Sequence, residues 1–282
     1  DEIRPAFRNP CIYLEEVTFG VYLLMLREFA PAEDRAGSML ARLREVPRVL
    51  SEARRNLHAP DEVPRLWSEM ARDLVASTCG FLDELPRWAQ RFAPSLAGDM
   101  ETEVARARDE VQAYRSFLDQ HVLARARGSF ATGKSYFEFL LKEIHGVAQG
   151  ADELEHFGQE EIRATVSRLE ELTQGRESWQ QQVERCKDDV PEESGLLEAY
   201  RKELERSRRF VSERGLLELP APESLEVVET PLFERKTTPF AAYVPPAPFE
   251  SAQKGYFWVT PPDPSLGETD RRLQMKEHML AS

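Results

Sequence analysis

A chain of 282 residues is long enough for one large domain or two ordinary ones. With 41% hydrophobic and 31% charged residues it has the composition of a folded globular protein, and no apolar run approaches the roughly 20 residues needed to cross a bilayer, so no membrane partner is expected. The 37 basic and 50 acidic residues give a net charge of −13, which repels nucleic acid, because the short basic clusters Ala53–Leu57 and Arg206–Phe210 lie inside acidic helices.

Three widely separated cysteines, Cys11, Cys79 and Cys186, make neither a disulfide framework nor a CxxC metal site. A reducing compartment, hence the cytoplasm, is the simpler location. The chain opens with DEIRPAF, without initiator Met or signal peptide, and stops at KEHMLAS inside a helical pattern. It reads as part of a longer chain, which leaves export of the whole open.

In chain order, apolar residues three and four apart predict a helix over Ile12–Phe29 and another over Arg35–Leu57. Pro47 should kink or split the second near Val46, since an interior proline loses a backbone bond and clashes with the preceding turn. Asp61–Phe92 opens with an acidic turn and Pro64, which suits a helix start, and Pro86 should bend or end it. A long amphipathic helix follows over Leu96–Arg127.

That helix runs into GSFATGKSYF, a complete match to the phosphate-loop pattern, with Gly128 and Gly133 to curl backbone N–H groups round phosphates, Lys134 to neutralise charge and Ser135 to meet magnesium. The pattern works when a buried strand delivers the loop and a helix leaves it. Here a helix delivers it, and no later apolar strand ends in an Asp for magnesium. Gly128, Gly133, Lys134 and Ser135 therefore read as a chance match at a helix-to-helix turn, with Gly at a C-cap and Ser129 or Thr132 capping the next helix.

Beyond it, Ser135–Ile144 predicts a short, deeply buried helix, Ala151–Asp189 a long one carrying Gly175, and Pro191–Gly215 another. After Gly215 the texture changes. Prolines recur up to Pro264, and β-formers come in bursts at Ser224–Thr230, Phe240–Val244 and Gly255–Thr260, which fit short strands at sheet edges. Glu268–Ala281 returns to helix, with Ser265 or Thr269 as cap. The class is mainly α with a small β portion: a helical scaffold over 1–215, a Pro-rich strand-and-loop segment over 216–264, and the start of a helix over 265–282.

None of the five histidines sits in an HExxH arrangement. His156 and Glu160, four apart, suit a surface contact better than a metal pair. Tyr243, Phe249, Tyr256, Phe257 and Trp258 form the densest aromatic run, among prolines that stiffen the backbone. Core packing accounts for it, as does a rigid wall along which an extended peptide gains backbone hydrogen bonds.

Several segments together resemble one family, the bacterial domain of unknown function 885. They are NPCIYLEEVTFGVYLLMLREFAP with RLREVPRVLSEARRNL, then GSFATGKSYFEFLLKE, ADELEHFGQEEI and AAYVPPAPFESAQKGYFWVTPPDP. The resemblance implies a protein similar to zinc metallopeptidases of the HExxH type, whose metal motif, like H-E-x-x-P-G-H-H, follows the helix matching RRLQMKEHMLAS. Ser282 then lies just before the first zinc ligand. No catalytic or metal-binding residue carries over, and zinc is expected only in the complete protein, together with the C-terminal remainder as partner.

What the resemblance does imply is a substrate wall: GYFWVT as an edge strand, with Tyr243, Tyr256, Phe257 and Trp258 as cleft candidates for a peptide. The chain is then the helical and substrate-cleft portion of a zinc-dependent peptidase, inactive alone. The competing reading is a helical interaction module without chemistry, and a third, a nucleotide hydrolase, depends on Lys134.

Overall fold

The computed structural model describes residues 4–173, 177–188, 190–219, 221, 224–248 and 253–281. Helices dominate and a three-stranded sheet lies near the C-terminal end, the class expected from the sequence. The chain forms two compact units, Asp1–Thr132 with Pro231–Glu234, and Gly133–Thr230 with Arg235–Ser282. The helices of the 1–215 stretch are thus shared between two units.

The first unit holds α1 (Pro5–Arg8), α2 (Cys11–Leu26), α3 (Ala32–Asn56), α4 (Arg65–Leu82), α5 (Leu85–Phe92) and α6 (Ala97–Phe117), the last continued by a π turn over Leu118–Val122. Contrary to the sequence expectation, α3 runs unbroken through Pro47. An interior proline costs about 3 kcal/mol. Met39, Leu40, Leu43, Val46, Leu50 and Ala53 form a fully buried stripe packed against α2 and α6, and burial on that scale outweighs one lost bond. Pro86 behaves as anticipated: α4 stops at Leu82, and the proline sits in the first turn of α5, where its missing N–H costs nothing.

Polar ties set how these helices meet. The buried Arg35, at the start of α3, donates to the carbonyls of Leu24 and Met25 in the last turn of α2, each at 3.0 Å, and to Ala30 at 3.1 Å. It brings positive charge to the negative end of the α2 dipole and satisfies orphan carbonyls. At the other end of α2, the Asn9 side chain accepts from the Cys11 N–H, Tyr13 donates to Ala6 O, and Asn56 donates to the Tyr13 hydroxyl. Tyr114, wholly buried in α6, donates to Pro10 O at 3.0 Å.

Residues 231–234 close the core of this unit with one ring. Phe233 is buried, and its centroid lies 5.4 Å from Phe19, 5.2 Å from Tyr22 and 5.1 Å from Phe81. Edge-on and tilted rings at that spacing add to the area they bury.

The second unit holds α7 (Lys134–Phe139), α8 (Ala151–Thr173), α9 (Trp179–Cys186), α10 (Leu196–Arg214) and α11 (Glu268–Ala281). The expected long helix over Ala151–Asp189 is two, α8 and α9, on either side of residues 174–176, which lie outside the described set. Ser178 starts α9 through a capping box with Gln181. The expectation of a deeply buried helix over Ser135–Ile144 is wrong: neither α7 nor the π turn after it contains a buried residue, and Phe137 and Phe139 are 45% and 50% exposed. Periodicity marks an apolar face, but it says nothing of whether anything lies against that face.

The sheet runs in the order β1 (Ser224–Glu229), β3 (Lys254–Val259), β2 (Ala241–Val244), with β3 parallel to β1 and antiparallel to β2. The expected strands are all present. GYFWVT, however, is the central strand and not an edge; its two neighbours take both of its hydrogen-bonding sides. On one face Val227 and Val259 pack with Leu196 and Tyr200 of α10 and Met275 of α11, and Ala241 and Phe257 border them. Three ion pairs fasten α11 outside this core: Lys187–Glu277 at 2.9 Å, Asp188–Lys276 at 2.5 Å and Glu193–Arg271 at 3.0 Å.

Between α10 and α11, the buried Tyr200 hydroxyl lies 3.0 Å from Nδ1 of the buried His278, and Phe240 meets the imidazole edge-on. Burial holds the His278 pKa below its ordinary value, opposed in part by a backbone hydrogen bond at Thr260. An unfolded His278 takes up a proton near pH 6.5 that the folded one refuses. The stability that depends on neutral His278 is therefore whole above that pH and is lost as pH falls through 6.5 toward the lower folded pKa.

Two outcomes follow. Melting curves between pH 7.5 and 5 should show Tm falling below about 6.5, and the fall should be shallower in His278→Asn; equal slopes would remove His278 as the cause. Phe233→Ala should lose about 3–5 kcal/mol in urea unfolding of the first unit, and Phe233→Leu clearly less.

Candidate functional site

Register decides which backbone groups of the sheet face outward. Thr230 donates its N–H to Val259 O at 2.8 Å, and Thr260 donates to Phe240 O at 2.7 Å, one residue beyond the paired strands. In the parallel ladder this turns the even-numbered residues of β1 toward β3 and leaves the N–H and C=O groups of Leu225, Val227 and Glu229 on the outer edge. In the antiparallel ladder the outward residues of β2 are Ala241 and Tyr243. The side chain of Arg201 agrees with this assignment, because its Nη2 donates to Val227 O at 3.1 Å.

Along the outer edge of β1 lies a groove of about 490 Å³. Leu204 and Val211 of α10, Leu219, and Leu225 and Val227 of β1 give it an apolar floor, and Arg201, Glu205, Ser207 and Arg208 give it a polar rim. The helix side is built by spacing: positions 201, 204, 208 and 211 fall on one stripe. Arg201 Nη1 lies 3.4 Å from Glu198, and Arg208 lies 3.9 Å from Glu205. On the same sheet face, next to Leu225, Gly255 leaves a bare patch on β3. A Cβ there would meet the Tyr243 ring at 3.0 Å and Leu225 at 3.4 Å, so glycine lets that ring lie across the strand.

The four cleft candidates therefore separate. Tyr243 is 57% exposed, with its ring over Gly255 beside Leu225. Phe257 faces the α10 side, 5.8 Å from the Tyr200 ring, and is part of the packing. Tyr256 and Trp258 point to the opposite face and are buried, Trp258 to 4% exposure. Phe249 lies outside the described residues. Sequence reasoning missed Arg201, Leu204, Arg208 and Val211, although their spacing was a readable signal; what it lacked was the knowledge that this stripe runs beside a strand edge.

The phosphate-loop residues have other partners. A helix and its π turn deliver the loop, and Gly128 donates to Val63 O at 3.0 Å so closely that a Cβ would lie 1.9 Å from Glu62 O. Gly133 takes φ +82° at the start of α7. The Lys134 ammonium lies 2.5 Å from Asp152, whose pull raises its pKa, and 3.9 Å from Glu138. Glu138 in turn accepts from the Ala151 N–H at the start of α8.

His156 and Glu160 are 3.2 Å apart on an exposed face of α8. Burial pushes the Cys11 thiol up to about 12, the opposite of what a nucleophile needs. Among the described residues no group of three or more His, Cys, Asp or Glu side chains is placed to hold a metal ion. No described helix is long and apolar enough to cross a membrane.

Among solved structures, the fold is similar to that of a candidate lipoprotein of unknown function from Shewanella oneidensis, with a TM-score of 0.62 and 18% identity. The match covers 97% of this chain and 51% of that one, so the chain spans about half the length of the structure it matches. No curated relative matches. The family model for bacterial proteins of unknown function, DUF885, matches residues 8–281, and the chain belongs to that family.

Proposed function

We propose that this chain supplies the peptide-binding face of a zinc-peptidase-like protein, and that an extended peptide adds to the outer edge of β1 with alternate side chains in the α10 groove. The observation that carries the reading is the pairing of an open six-residue strand edge with a 490 Å³ apolar-floored groove along it. Outward N–H and C=O groups at Leu225 and Glu229, and the N–H of Val227, are the complement of a strand, and the floor suits the side chains such a strand would turn inward. Tyr243 would border the bound chain across Gly255.

The described residues do not fit a zinc ion, so no hydrolytic step is derived from them. In this reading the metal, the water it activates and the general base belong to the complete protein, and this portion binds and orients substrate. A second reading, an interaction module without chemistry, draws on the exposed Phe137, Phe139, Phe157 and Ile162 of α7 and α8.

Strand addition has its own signature. Labelled eight-residue peptides alternating valine and serine should bind the 282-residue chain, as followed by fluorescence anisotropy. N-methylation at alternate residues on one register should weaken binding about tenfold, the cost of backbone hydrogen bonds, while the other register is spared. If both methylated series bind as well as the parent, or lose affinity equally, the edge is not the site.

A further inference from the structure

The outward carbonyls of β1 are not equivalent. Those of Leu225 and Glu229 stand on the open edge, whereas that of Val227 already accepts from Arg201 Nη2 at 3.1 Å. We propose that the α10–β1 groove selects an extended peptide with proline opposite Val227, because Arg201 holds the edge oxygen that any other residue's N–H would need there. This inference rests on the strand-addition reading above and extends it to the class of peptide bound.

An antiparallel strand added to this edge pairs residue by residue, and Leu225, Val227 and Glu229 would each exchange an N–H and a C=O with the residue opposite. At Val227 the exchange is incomplete. Its N–H can donate to the peptide, but the peptide N–H meets an oxygen already bonded to a cation. A carbonyl has two lone pairs, yet a hydrogen brought to the second lies beside the positive hydrogens of the guanidinium and is repelled by them. An N–H that sheds water without gaining a bond weakens the complex.

Proline has no N–H to lose. Its carbonyl still accepts from Val227, an edge strand tolerates it, and it holds the residue before it extended. Directly opposed residues share a sheet face, so its ring would fall on the side of the Val227 side chain, over the apolar floor formed with Leu204 and Leu225. Arg201 is held in this part from both arms of its fork, by Val227 O and by Glu198, 3.4 Å from Nη1. Its engagement, and not any free donor, sorts one peptide from another.

The test measures fluorescence anisotropy of labelled octamers with the 282-residue chain: the alternating valine–serine parent, the same peptide with proline at one central valine, and one with prolines at two successive valine positions. The single-proline peptide can slide until its proline faces Val227, and wild type should bind it about fivefold more tightly than the parent, the worth of one hydrogen bond. The second proline then faces Leu225 or Glu229, whose carbonyls need a donor, and should cost about fivefold. Arg201→Met frees Val227 O and should abolish the preference by raising affinity for the parent alone, a gain that a folding defect does not produce. Arg206→Met, off the groove where Arg206 pairs with Glu203, should leave the preference in place. Equal binding of parent and single-proline peptide by wild type would overturn the proposal while leaving the strand-edge reading intact. A preference that survives Arg201→Met would assign it to the stiffness of proline, and an equal gain for both peptides would make Arg201 a barrier across the edge; either result overturns the proposal. Binding of none of the three peptides would remove the strand-edge reading along with it.

Discussion

Two backbone bonds at the end of the sheet, Thr230 to Val259 and Thr260 to Phe240, fix the feature on which the rest of the second unit depends. They set the register of β3 against both neighbours, and a shift of one residue would turn every side chain to the other face. With the register as it is, Val227, Phe257 and Val259 meet α10 and α11, Leu225 borders the groove, and Gly255 comes under Tyr243. The two threonine hydroxyls, buried and 2.7 Å apart, reinforce the same point across β1 and β3. Sheet register, core composition and the outward groups of the β1 edge are consequences of one alignment.

Much of the fold was legible because it follows from local rules. Helix periodicity located α2 to α6, α10 and α11 but merged α8 with α9, and proline-bounded β-formers located the three strands. The failures have physical causes. Pro47 was weighed as a local cost, whereas α3 is held by a stripe buried against two other helices. The apolar pattern of α7 was read as burial, yet a pattern records only which face is apolar. Strand order was beyond local reading, since β3 comes last in sequence and lies in the middle of the sheet.

Several of the segments through which the chain resembles its family contain joints between helices. Asn9, Tyr13 and Asn56 tie the start of α2 to the end of α3, and Tyr114 seals the same corner from α6. Lys134, Glu138 and Asp152 tie α7 to the start of α8. Polar residues at such corners satisfy backbone groups that helix ends leave open, and substitution of the buried Tyr13 or Tyr114 would strand the partners they hold. Family resemblance in these stretches therefore speaks to architecture, whereas the residues of the groove lie in α10 and β1.

This division bears on how chemistry and binding are shared in a protein of this kind. A site for an extended chain needs an open strand edge and room for alternate side chains, and both arise in the second unit from one sheet and one helix. Hydrolysis needs ligands and a base brought to a single point, an arrangement absent among the described residues. Binding of an extended chain makes no demand on those groups, because edge hydrogen bonds and groove contacts are complete without them. In the proposed reading the strand edge and its groove are thus physically separable from any catalytic apparatus, and the apolar residues that would meet the bound chain, Leu204 and Val211, share one stripe of α10.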